Sequence, residues 1–244
     1  MKAKLVIIGN GMAGAKLLEV LSSTNHDYDI TVFGNEPYGN YNRIMLSPLL
    51  AGEKTLKDII IFDRHWYDVK GIALKSGNDN HIEKVDRIHK SVITRSGEVT
   101  SYDRLVIATG STPFMLPIEG ITLKGVMSFR DIRDVENMIS VASQHKKAVV
   151  IGAGLLGLEA AMGLCGRGME VTVVHSNDIP LNRQLDQEAG ELLKQALETR
   201  GLTFKMNART AKIQGEARVE KICFDDGTIL ETDLVIMAIG IRPN

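Results

Sequence analysis

Two short stretches carry residues whose types and spacing point to chemistry. Gly9-Asn10-Gly11-Met12-Ala13-Gly14 fits G-x-G-x-x-G, and Gly152-Ala153-Gly154-Leu155-Leu156-Gly157 repeats it. In such a loop the first glycine permits a tight turn. The second lets backbone approach a pyrophosphate, and the third lets the following helix pack closely on the preceding strand. Phosphate would sit at the helix N-terminus, where unpaired N–H groups point outward and the dipole favours anions. A lone motif of this kind is equally a ligand-free glycine-rich turn. Two of them in the same setting point to two different dinucleotides.

The setting is a strand before each loop and a helix after it. Leu5-Val6-Ile7-Ile8 is too short and too β-branched for a helix of its own and suits a buried parallel strand. Ala15 to Leu21 then reads as a helix. Ala148-Val149-Val150-Ile151 and the helix continuing over Leu158 to Leu164 match them. Second strands also correspond, at Ile30-Thr31-Val32-Phe33 and Val171-Thr172-Val173-Val174. Further on, an apolar strand runs into Ala108-Thr109-Gly110, and another into Ala238-Ile239-Gly240. Small residues there let a cofactor come close, and Gly110 is free to take positive φ.

Between these landmarks, short helices are expected from Met45 to Ala51 and over Phe62 to Tyr67. Longer ones are expected from Ser128 to Gln144, starting near Ser128 or Asp131, and from Leu185 to Arg200, closed by Gly201. Hairpin turns fall at Ser96-Gly97-Glu98 and Asp226-Gly227.

A dinucleotide site often places a carboxylate at the end of the second strand to hold ribose hydroxyls. In the first unit that position is Gly34, and Glu36 is the nearest carboxylate. Arg43, in the unusual stretch Tyr38 to Gly52, is a candidate partner for a pyrophosphate through its planar fork. In the second unit the corresponding residue is His175, with no carboxylate there and no arginine directly after it. Asp178 nearby tilts the expectation toward NADH, with NADPH the alternative.

Composition excludes several classes. The chain has 244 residues, 44% hydrophobic and 24% charged, with a net charge of −1. No global field recruits nucleic acid or an anionic membrane, and no apolar run approaches the ~18 residues of a membrane span. The only cysteines, Cys165 and Cys223, form no C-x-x-C, and His65 has no second histidine at ligand spacing. A reducing, cytoplasmic setting is expected, with no disulfide framework and no metal site. Cys165 is expected to be a small core residue.

The motifs in order, GNGMAG, LVIATGSTP, VVIGAGLLGLEAA and DLVIMAIGIRPN, resemble the two-dinucleotide flavoprotein reductases of the pyridine nucleotide-disulfide oxidoreductase superfamily. YNRIMLSPLLAGE, HWYDVKGIAL and VHSNDIPLNRQLD look like the large subunit of NAD(P)H-dependent nitrite reductases, with rubredoxin and ferredoxin reductases close by. The resemblance implies an α/β fold of two Rossmann-like domains. Residues 1–116 would form an FAD domain, to which the chain returns at 239–244, and residues 117–238 an NAD(P)H domain. That return would be incomplete, leaving a C-terminally truncated FAD domain with a weakened flavin site. The implied chemistry is hydride transfer from NADH to FAD and onward electron transfer to a metal-centre acceptor. The acceptor would be sirohaem and iron–sulfur modules, as in reduction of nitrite to ammonia, or a small redox protein; a homodimer is left open. Glu159 matches a family glutamate near the nicotinamide, whose lysine partner in ferredoxin-type relatives is replaced here by Pro48. Disulfide reductases of the superfamily need a cysteine pair near residues 40–50, and none is present. Two other readings stand beside this one: a rubredoxin- or ferredoxin-type reductase, and a nucleotide-binding fragment without turnover.

Overall fold

The structure, a computed structural model, describes residues 2–244. The chain divides into two compact units. One comprises the chain through Arg43, Leu56–Ser111 and Asn244; the other comprises Ile44–Thr55 and Thr112–Pro243. These bounds differ from the expected division at residues 116 and 117. The segment from Ile44 belongs with the second unit because α2 (Leu46–Ala51) buries Leu46, Leu49 and Leu50 there.

In the first unit, β1 (Ala3–Ile8) leads through α1 (Met12–Ser22) to β2 (Tyr28–Gly34), followed by β3 (Ala73–Ser76) and β4 (Arg104–Ile107). The four strands are parallel in the order β3-β2-β1-β4. Alternation along β1 serves both faces of this sheet. Leu5 and Ile7 pack with Leu18, Ile30, Val32, Tyr67 and Ile72, while Val6 and Ile8 pack with Phe33 and Val92. A near-continuous apolar strand is what burial on both faces demands. Ile82–Asp86, Ser91–Thr94 and Val99–Ser101 form an antiparallel sheet inserted before β4.

The second unit repeats the plan. Its strands are β5 (Val126–Ser128), β6 (Lys147–Ile151), β7 (Glu170–Val174), β8 (Leu202–Lys205) and β9 (Leu234–Met237). They run parallel in the order β5-β9-β6-β7-β8. Its helices, after α2, are α3 (Ile132–Ala142), α4 (Leu155–Gly166) and α5 (Gln187–Thr199). A three-stranded antiparallel sheet again precedes the last strand, at Thr210–Gln214, Lys221–Phe224 and Ile229–Glu231. Its Ile213, Ile222 and Phe224 pack against Val149, Ile151, Val235 and Met237.

Several helix starts lie later than the residue pattern suggests, and the reason is capping. The helix expected to start near Ser128 or Asp131 begins at Ile132, so the structure selects the later start. Asp131 caps it through Asp134 N–H, and Asp134 in turn accepts from Ser128 Oγ and Arg130 N, which holds residues 128–130 out of the helix. Ser128 closes β5 instead. The helix expected from Phe62 begins at Arg64, with Asp63 as its cap, and Phe62 pairs as a strand residue with Asn40. The last long helix starts after Asp186, which accepts from Ala189 N. Cys165 is half-buried rather than a core residue, its Sγ 3.6 Å from Arg200 O. Among the described residues no helix is long and apolar enough to cross a membrane.

Strand, loop and helix meet at glycine backbone in both units. A Cβ on Gly157 would lie 1.9 Å from Gly152 O, and one on Gly14 would lie 2.2 Å from Gly9 O. Backbone on both sides of each clash leaves no flexible group to give way. Gly157→Ala is therefore expected to destabilise the second unit by at least about 2 kcal/mol. Urea unfolding checks this, and a midpoint equal to that of the unaltered chain would refute the packing argument.

Candidate dinucleotide sites

Each glycine loop leaves the C-terminal end of its sheet where strand order reverses, between β1 and β4 and between β6 and β9. That reversal is where open α/β sheets bind ligands. Gly9 takes φ +112 and Gly152 φ +113. A Cβ on Gly9 would meet Ala108 O at 2.1 Å, and one on Gly152 would meet Ala238 O at 2.4 Å. The strand ends at Ala108 and Ala238 are thus pressed against the two loops. The middle glycines behave in the opposite way: around Gly11 and Gly154 a Cβ would meet nothing within 4 Å.

Gly11 and Gly154 are the N-cap residues of α1 and α4, and neither helix has a side-chain cap. By contrast, aspartates cap Arg64–Val69, α3 and α5. Glycine at the cap costs a helix only about a few tenths of a kcal/mol, but with no side-chain oxygen it leaves first-turn amides to another acceptor. An anionic ligand suits such amides in charge and hydrogen bonding. Met12 and Ala13 in one first turn, and Leu155 and Leu156 in the other, are exposed beside it. Gly14 and Gly157 are buried against the preceding glycine, so they shape the loops without facing outward.

In the first unit the structure brings Glu36 and Arg43 together. Arg43 Nη2 donates to Glu36 Oε1 at 2.7 Å, and Tyr41 Oη donates to Glu36 Oε2 at 2.7 Å. The guanidinium also lies over the Tyr41 ring, 5.1 Å from its centroid. A carboxylate has about four acceptor sites, so Glu36 retains capacity for hydroxyl donors. Thr109 and Gly110 are exposed beyond β4, Gly110 at φ +73, and both carbonyls accept from Asn244.

A polar network under this loop has no counterpart in the motif. Tyr67 Oη donates to Asn10 Oδ1 at 2.7 Å, and Asn40 Nδ2 donates to Asn10 O at 3.0 Å. Burial pushes the Tyr67 phenol up to about 12, so it remains a neutral donor. Asn40 is itself buried, and its Oδ1 finds no partner among the described residues. Asn10 is a variable position of the motif, and only the fold brings Asn40 and Tyr67 to it.

The second unit holds a cleft of about 870 Å³, within the range of small-molecule sites. Gly152, Gly154, Leu155, Leu156, His175, Ala238 and Gly240 all line it. Ala153 N donates to His175 Nδ1 at 3.4 Å, and His175 Nε2 lies 3.2 Å from Asn182 Oδ1. Asn177 Nδ2 lies 3.4 Å from the same Nε2, so donor and acceptor roles there follow the tautomer. Asp178 is not among the lining residues, whereas Arg183 and Arg209 are. No spacing in the chain links these two arginines to His175; the return of the chain past β8 brings the second one in.

Glu159, on the exposed side of α4, accepts from Ser47 Oγ at 2.5 Å. Ser47 rides on α2, which is fixed to α4 at its far end. Arg167 Nε donates to Leu50 O at 2.6 Å, and a Cβ on Gly163 would come within 2.8 Å of Leu50. Where a lysine was expected to be missing at Pro48, the preceding serine supplies the partner.

Paired Rossmann-like units with open glycine loops define the class as an oxidoreductase of the FAD/NAD(P)-binding fold. The chain belongs to the pyridine nucleotide-disulphide oxidoreductase family, whose model matches residues 3–244. It is 49% identical to nitrite reductase [NAD(P)H] of Bacillus subtilis over the whole of this chain and 30% of that protein. To the nitrite reductase (NADH) large subunit of Escherichia coli it is 34% identical, over 99% of this chain and 29% of the relative. The NAD-dependent persulfide reductase from A. fulgidus superposes with a TM-score of 0.91 at 30% identity, covering 99% of this chain and 46% of that one. The chain thus spans about a third of the length of these nitrite reductase relatives. The family uses FAD and NAD(P)H.

Gly11→Val is expected to leave the unfolding midpoint unchanged, since open space surrounds the position, yet to abolish FAD binding. Titration of flavin fluorescence checks it. Undiminished affinity would show that the first loop does not hold the flavin pyrophosphate.

Proposed function

We propose that this chain is the electron-entry module of an NAD(P)H-dependent reductase of the nitrite reductase type. The first unit holds FAD and the second holds the nicotinamide dinucleotide. The single observation that carries this reading is the pair of uncapped helices, each opening behind a glycine with free space in front of it. Identity to nitrite reductases along the full chain supports the choice of relatives.

The residues divide the work. Main-chain amides of residues 11–14 hold the flavin pyrophosphate, Glu36 accepts from ribose hydroxyls, and Arg43 keeps that carboxylate oriented. Ala108, Thr109 and Gly110 let the cofactor lie against backbone. In the second unit the amides of residues 154–157 hold the other pyrophosphate, and Ala238 and Gly240 lie beside the bound chain. Glu159, held by Ser47, orients the nicotinamide. FAD held there would supply the chemistry of taking hydride from a nicotinamide and releasing electrons one at a time. The acceptor is a metal centre, such as sirohaem and iron–sulfur modules serving nitrite reduction, or a small redox protein. Both cysteines are free, and neither lies in the segment where a dithiol acceptor would stand, which supports a metal acceptor over a disulfide.

The test is anaerobic bleaching of the FAD-loaded chain by NADH and NADPH, followed by reoxidation. Ferricyanide, a one-electron acceptor, is expected to restore the flavin absorbance, and a dithiol-forming disulfide substrate is not. Glu159→Gln is expected to slow bleaching by up to about 100-fold, the effect of a modest misplacement of reactants, without weakening dinucleotide affinity. A chain that binds FAD but is bleached by neither nucleotide would overturn the proposal.

A further inference from the structure

The charges around His175 carry the reading of the second site one step further, and the step rests on that site being the nicotinamide site. Dinucleotide sites that take the unphosphorylated adenosine ribose use a carboxylate at the end of the second strand, whereas 2′-phosphate is accommodated by a nearby arginine. Here the strand ends at Val174 and the next residue is His175. Backbone brings two other segments to it. Ala208 N donates to His175 O at 2.9 Å, which sets Arg209 beside the strand end. On the other side Asn182 meets the imidazole, and Arg183 follows it. Both arginines line the cleft. Neither guanidinium has a hydrogen-bond or ion-pair partner among the described residues.

Other charges do not cancel them. Asp225 lines the cleft as well, tied to Arg209 through its own N–H and Arg209 O at 3.0 Å, yet it forms no ion pair with that arginine. Asp178 is exposed outside the lining. A bare ribose diol placed at His175 would find no carboxylate on that strand end and two cations with nothing to bind. A phosphate dianion there would meet two planar donor forks, each matched to its oxygens.

We propose that the second unit selects the 2′-phosphorylated dinucleotide, NADPH, with Arg183 and Arg209 as the specificity-determining residues on either side of His175. This reverses the expectation drawn from Asp178 alone.

Calorimetric titration of the 244-residue chain with NADP+ and NAD+ tests it, because binding to this unit needs no flavin and no turnover. NADP+ is expected to bind tighter by at least about tenfold, the ratio that corresponds to about 1.4 kcal/mol. Raising the salt concentration should erode that ratio, since both arginines are exposed and screened. In the double variant Arg183→Gln/Arg209→Gln the preference should vanish through loss of NADP+ affinity, with NAD+ affinity little changed. Equal or tighter binding of NAD+ by the unaltered chain overturns the proposal. So does a preference that survives both the substitutions and high salt. Binding of neither nucleotide would instead overturn the assignment of this cleft as the nicotinamide site, and this proposal with it.

Discussion

Contact between glycine backbone and the carbonyl that ends a neighbouring strand is the constraint on which the rest of the structure depends. In the first unit Gly9 N donates to Phe33 O at 2.8 Å while Ala108 N donates to Ile8 O at 2.7 Å. The loop is thereby tied to β2 on one side and to β4 on the other. The second unit makes the same two ties, Gly152 N to Val174 O at 2.8 Å and Ala238 N to Ile151 O at 2.9 Å. With the loop pinned between two strands and the third glycine pressed on the first, the following helix can leave in only one direction. Its N-terminus then stands past the ends of the strands, clear of side chains, where a phosphate can reach it. Substituting any of these close-packed glycines would move the helix end, and the site would move with it.

The parts of this arrangement that were legible in the chain are those set by local chemistry. Apolar β-branched runs before each G-x-G-x-x-G marked the central strands, while the register of β1 with β2 and of β6 with β7 is seen only in the fold. Small residues after β4 and β9 marked the close approach. What was not legible depends on groups far apart in the chain. Asn10 is supported by Asn40 and Tyr67, and nothing in the spacing of those residues announces it. The segment carrying α2 reads as part of the first unit because of where it falls in the chain. It lies with the second because Leu46, Leu49 and Leu50 are buried there and Arg167 binds its C-terminal carbonyls. The cap at Asp131 was one of two starts the chain offered for α3, whereas the start at Arg64 lies later than the residue pattern suggests because Asp63 caps that helix and apolar periodicity does not see caps.

The pair formed by Ser47 and Glu159 shows how a local rule can mislead about a site. Loss of a lysine at position 48 would remove a charged partner, but the helical turn places Ser47 within 2.5 Å of the carboxylate. A hydroxyl gives Glu159 one directional donor without neutralising it. The carboxylate therefore retains acceptor sites that an ion pair would have engaged.

One scaffold is thus used twice, and charge at the end of the second strand is where the copies part. In the first unit the acidic group there, Glu36, is half-buried and held by Arg43 and Tyr41, so the local charge is balanced before any ligand arrives. In the second, an imidazole follows the strand end, and Arg183 and Arg209 at the cleft wall have no side-chain partner among the described residues. Loop geometry is the same in both and cannot discriminate between dinucleotides, because a pyrophosphate is common to all of them. Discrimination has to come from groups outside the glycine motif. In the second unit those groups reach the strand end from a loop on one side and from the return past β8 on the other, so the charge beside the motif is set by tertiary structure and not by the six residues of the motif.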